Sequence, residues 1–202
     1  MKKVLLDYII RNKKNFIIII TIFCIGIVAG IFFINNSNES QQTEINNYIQ
    51  ELVKNIKDSE EVNRVELLIL SIKQNIFFIV IVWFLGCTII GGIFIYLAII
   101  YKGFTIGYTI SALIYVLGIK QGSLIAILSL AFQNIVFLLA FFLIAENGIK
   151  LCSGIYKKRI NLKEEVVRHF VIMLISIMLS IIASLIEIYF STNLLIFLKE
   201  II

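Results

Sequence analysis

Gln133, Asn134 and Glu187 are the polar side chains that stand in the most apolar surroundings of this chain. Lipid offers an amide or a carboxylate no partner, so each must bond another helix, reach a water-filled crevice or escape to the interface. Gln133 and Asn134 sit together near the centre of an apolar run at 123–145, too far from either end to escape. Ala126, Ser129, Gln133 and Ala140 share one helical face, with Asn134 beside them. One role for the pair is glue between helices, worth roughly 1 kcal/mol or less per bond. The other is a polar site for a translocated solute, although two amides without a charged partner make a poor ion path. Glu187 continues a stripe of Ser176, Ser180 and Ser184 near the outer end of the last apolar run. A proton or ion relay and snorkelling to the interface both fit it.

Other chemistry finds little support. No Ser/His/Asp set, paired-acid site, Gly-rich phosphate loop or metal-ligand spacing occurs in a suitable helical context. His169, the one histidine, heads the last apolar run beside Arg168 and reads as an interfacial anchor. No catalytic residue, cofactor or metal is therefore expected, and the chain is not read as an enzyme.

The elements that must position these residues are membrane helices. The chain is 60% hydrophobic and 15% charged, with a mean hydropathy of +0.99, far from a soluble average. A net charge of +5 would suggest nucleic acid in a soluble protein. Here the bases flank apolar runs, so topology control is the simpler reading and no nucleic acid is expected. Cys24 and Cys87 lie in apolar runs and Cys152 in a basic stretch, which gives no disulfide framework.

The fold expected is all-α: a polytopic integral membrane protein with spans at 16–34, 76–101, 104–119, 123–145 and 170–190. Roughly 20 residues cross a hydrocarbon core of about 30 Å, so the second span is long and should bend near Gly91-Gly92, while the third is short. Residues 1–15 carry Lys2, Lys3, Arg11, Lys13 and Lys14 against Asp7. The stretch 146–169 is also basic, whereas 35–75 carries seven acids and four bases. The positive-inside rule then places the amino terminus, Lys102 and 146–169 in the cytoplasm. The loop 35–75 and the tail 191–202 fall outside. Ile45, Ile49, Leu52 and Ile56, then Val62, Val65, Ile69 and Ile72, recur at three and four residues. They predict an extracytoplasmic amphipathic helical hairpin resting on the membrane face or the other helices, or offering a docking surface.

Small residues recur four apart at Gly26/Gly30, Gly103/Gly107/Ser111 and Ser176/Ser180/Ser184. Such stripes let backbones approach closely, inside one chain or between copies in a homo-oligomer.

From Asn75 to Asn134 the chain resembles stage II sporulation protein M, an integral membrane family of endospore-forming bacteria. The resemblance rests on Asn75, Trp83-Phe84-Leu85-Gly86, the glycine pair Gly91-Gly92, Tyr101-Lys102-Gly103-Phe104-Thr105-Ile106-Gly107-Tyr108, Gly122 and Gln133-Asn134. The family usually carries a proline before Gln-Asn, where this chain has Phe132 and no proline at all. That departure implies a straighter fourth helix. The resemblance implies a non-enzymatic scaffold at the sporulation septum, on the mother-cell side of the plasma membrane. It would recruit two membrane-anchored cell-wall hydrolases, stage II sporulation proteins P and D, for engulfment of the forespore. The alternative is a small transporter or permease-like protein using Gln133, Asn134 and Glu187, although no inverted repeat is visible.

Overall fold

A computed structural model describes residues 12–58, 64–127, 132–157 and 161–201. All described elements are helical: α1 (Lys13–Asn35), α2 (Glu39–Asp58), α3 (Arg64–Gly86), α4 (Gly91–Ala126), α5 (Phe132–Lys157) and α6 (Leu162–Ile201). Five of them, all but α2, are long and apolar enough to cross a membrane.

The helices alternate in direction, as their end contacts show. Asn15 at the start of α1 bonds Glu146 late in α5 at 3.2 Å. Cys152 lies 3.4 Å from the carbonyl of Gly86 at the end of α3, and His169 early in α6 reaches Trp83 O at 3.1 Å. The opposite face gathers Ile34 at the end of α1, Ala112 late in α4, and Ile45 and Ile49 of α2 in one cluster.

Several helix boundaries differ from the sequence reading. The expected span 76–101 is interrupted at 87–90, and 101–104 lies inside continuous helix. Thr88 closes the α3 end by donating its hydroxyl to Leu85 O at 2.8 Å. A side chain on Gly91 would overlap that carbonyl, so glycine is needed where the chain reverses. The stretch 65–75, expected in an outer hairpin, is the first half of the spanning helix α3. Val62 lies outside the described residues, as do the side chains of Leu52 and Ile56.

α4 has 36 residues, about 54 Å at helical rise and longer than a bilayer core. It bends at Gly118, whose φ of 80° and ψ of 166° suit only glycine. Beyond the bend Gly122 packs against the backbone of Leu113 and Ile114, so the chain folds back on itself. The expected span 123–145 is likewise redrawn. Ser123–Ala126 belongs to that returning arm, and α5 is described from Phe132 to Lys157. Residues 128–131 lie outside the described set, so the straightness expected there is left aside. The expected loop 146–169 is mostly helix, comprising the end of α5 and the start of α6.

α5 is the central helix: 61% of its most apolar window is buried, against 22–28% in the other four spans. Phe137, Phe141 and Ile144 of α5 meet Ile79 and Val82 of α3, Ile95 and Ile99 of α4, and Ile19 of α1. The closest pairing is α1 with α4. Gly26 and Gly30 lie on the backbone of Ile100, Phe104 and Tyr108, while Gly103 and Gly107 lie on Phe23 and Ile27. Apolar side chains gain nothing from leaving lipid, so this backbone-to-backbone approach supplies the dispersion contacts that hold the pair.

α2 is the most amphipathic helix. Its start is capped by Gln41, whose Oε1 accepts the Asn38 N–H at 3.1 Å. Ile45 and Ile49 are buried against Ala112, Leu113 and Tyr108, and Tyr115 donates its hydroxyl to Gln42 Oε1 at 2.9 Å. The helix therefore rests on the end of the bundle, in register with α4.

Candidate functional site

The buried polar residues described fall into two clusters, one toward each face. In the first, Glu146, Asn147 and His169 are 0%, 1% and 0% exposed. Lys150 one turn on pairs with Glu146 at 2.9 Å and donates to Asn12 Oδ1, and the Asn15 amide donates to Glu146. These bonds staple the start of α1 to α5. His169 is not the interfacial anchor expected from its place in the sequence. It is enclosed because Gly86 and Gly148 let α3 and α5 approach around the imidazole, the nearest approach to Gly86 being His169 Nε2. Trp83 O can only accept, so Nε2 carries the proton. Asn147 Oδ1 lies 2.7 Å from Nδ1 on the other side of the ring. The Trp83 indole stacks on the imidazole, 6.3 Å between centroids. Trp83 and Gly86, singled out in the sequence, thus form the α3 wall of this cluster.

The second cluster joins α3 to α6. Ser71 donates its hydroxyl to Glu187 Oε2, and Ser184 Oγ lies 2.9 Å from Ser71 Oγ. Asn75 Nδ2 donates to Ser184 Oγ at 2.9 Å. Ser176, on the same stripe, donates to Ala140 O of α5 at 3.1 Å. The serine stripe is therefore a seam inside the chain, and Glu187 is tied to α3 rather than extended to the interface. Each such bond contributes roughly 1 kcal/mol or less, and together they fix the register of α3 on α6.

Lys102, expected in a cytoplasmic loop, stands instead midway between Gly91 and Gly118 in α4. Its ammonium lies 4.6 Å from the ring centre of Phe137 and 6.0 Å from that of Phe78. Aromatic faces are the partners a lysine can use at that depth. The glycines beside it, Gly103 and Gly107, belong to the α1 contact, and Gly122 to the returning arm.

Gln133 and Asn134 lie in the first described turn of α5. Asn134 is half-buried, and the Gln133 side chain lies outside the described set. Glu146, Asn147 and Lys150 escaped the sequence reading because an acid after an apolar run reads as a loop. The Glu146–Lys150 spacing of one turn was the signal that helix continues there. Among the described residues no group of three His, Cys, Asp or Glu side chains could hold a metal.

Fold and clusters together define a class: a multi-pass, all-helical membrane protein whose interior polar groups bond helix to helix. The chain matches the family model described as stage II sporulation protein M over residues 19–192, and it belongs to that family. It is accordingly a sporulation-related membrane protein. No curated protein and no solved structure matches it.

Proposed function

We propose that the protein is a membrane scaffold of the septal peptidoglycan-remodelling machine, holding stage II sporulation proteins P and D at the septum during engulfment. The observation that carries this reading is the seating of α2. It is pinned by Ile45, Ile49 and the Gln42–Tyr115 bond on the bundle face opposite the start of α1. Lys13, Lys14, Lys150, Lys157, Lys163 and Arg168 gather at the α1-start face, and the positive-inside rule turns that face to the cytoplasm. α2 then becomes a fixed ledge on the wall side, where hydrolases work. Lys158 and Arg159, of the same basic stretch, lie outside the described residues.

The small-residue faces that could pair copies of the chain, or take the membrane anchor of a partner, are occupied within it. Partners of this scaffold therefore meet it elsewhere. A transport path would need Glu187 open to a passing proton or ion, and here its carboxylate is bonded to Ser71 between α3 and α6. Deleting the chain should block engulfment and disperse both hydrolases around the mother-cell membrane, read by fluorescent fusions. Septal hydrolases in the deletion strain would contradict the proposal.

A further inference from the structure

A cleft of about 460 Å³ opens between α2 and α4. Ile45 and Ile49 of α2 and Tyr108 and Ala112 of α4 form its apolar floor, and Glu44 and Tyr48 stand at its rim. The seating of α2 on Ile34 and the Gln42–Tyr115 bond fix its two walls relative to each other.

Two features select the occupant. The floor asks for an apolar side chain. The rim asks for a base: Glu44 lines it, Glu51 follows two turns on along the same helical face outside the lining, and among the described residues no basic side chain forms a salt bridge with Glu44. That acidic rim repels the phosphate of an anionic lipid headgroup and attracts lysine or arginine. Tyr48 is 64% exposed, a large amphipathic side chain of the kind that anchors protein interfaces.

We infer that this cleft receives a basic and apolar segment of a protein partner at the membrane surface, with an apolar side chain against Tyr108 and Leu113 and a neighbouring lysine or arginine paired to Glu44. The inference rests on the scaffold reading and gives it a place and a chemistry.

The test replaces Thr109, in the cleft wall, with a photoreactive amino acid in the full chain within sporulating cells, and sequences the cross-linked peptides. The expected product is a protein segment with an apolar residue beside a lysine or arginine. Glu44→Lys should lower its yield about tenfold, the scale of one lost charge pair, and an acid placed at the partner's base should restore it. Glu44 is exposed, so the substitution leaves the fold intact. Adducts to phospholipid alone, to a second copy of this chain, to a segment without a base, or a yield indifferent to Glu44→Lys would each overturn the inference. If that happens while deletion of the chain still disperses the hydrolases, the cleft assignment fails and the scaffold stands. Hydrolases at the septum in the deletion strain sink both.

Discussion

Gly103→Leu should abolish the folded protein in detergent or leave it destabilised by about 3 kcal/mol or more, the upper range for overpacking. The reason is what the new side chain meets. At Gly103 a Cβ falls on the carbonyl of Phe23, with Ile27 N at 3.1 Å and Gly26 Cα at 3.2 Å. Backbone cannot swing aside as a flexible side chain can, so the helices must separate along their length. Gly26→Leu should behave alike, because its Cβ meets Ile100 backbone on the same seam. The two together should cost much less than their sum, since the first already parts α1 from α4. Gly92→Ala is the control: its nearest neighbour would be Cys152 Cβ at 3.6 Å, an ordinary contact. Thermal unfolding of the purified variants measures all four. Near-additive losses at Gly26 and Gly103 would show that they do not share one contact.

The second large effect concerns the staple at the α1-start face. Removing one member of a buried ion pair typically costs about 3–5 kcal/mol, because the other charge is left uncompensated. Glu146 has no exposed side-chain surface and Lys150 has 29%. Partial solvent access at the lysine moderates the penalty, and Lys150→Met should lie near the lower end, about 3 kcal/mol. Glu146→Gln should cost less, since its amide oxygen still accepts from Asn15. Combining Glu146→Leu with Lys150→Met should recover part of the loss, as buried pairs replaced by apolar residues often do. Equal losses in Lys150→Met, Glu146→Gln and the double variant would show packing, rather than charge, to be the source.

Much of this architecture was legible in the chain, and what was not has a common cause. Long apolar runs give helices in bilayers because every backbone polar group must be satisfied internally, so five long apolar helices followed directly. The spacing of Ile45 and Ile49 marked the buried face of α2, and Gly26/Gly30 and Gly103/Gly107 marked surfaces of close approach. Charged residues misled. Lys102 was read as a helix end because a lone ammonium is costly in lipid, yet Phe137 and Phe78 receive it from distant parts of the chain. A helix end at Lys102 shifts its neighbours too: it carries the second span across 87–90 and leaves 65–75 outside the membrane. Glu146, Asn147 and His169 were placed in or beside a loop for the same reason. Their partners Asn15 and Trp83 lie far away in sequence, where periodicity carries no information. Gly91 was read as a bend, and the structure makes it the start of a new helix.

These corrections keep the sidedness. Whether Lys102 ends a helix or crosses within one, the start of α1 and the end of α5 share one face while α2 lies on the other. The scaffold reading depends on that arrangement, with α2 turned to the cell wall. The direct measurement uses a chain whose Cys24, Cys87 and Cys152 are replaced, carrying Asn47→Cys on α2 or Lys157→Cys at the end of α5; both positions are exposed. A membrane-impermeant thiol reagent added to intact cells should label the Asn47→Cys protein and spare the Lys157→Cys protein until the membrane is opened. Labelling of Lys157→Cys with protection of Asn47→Cys would put α2 in the cytoplasm and contradict the account.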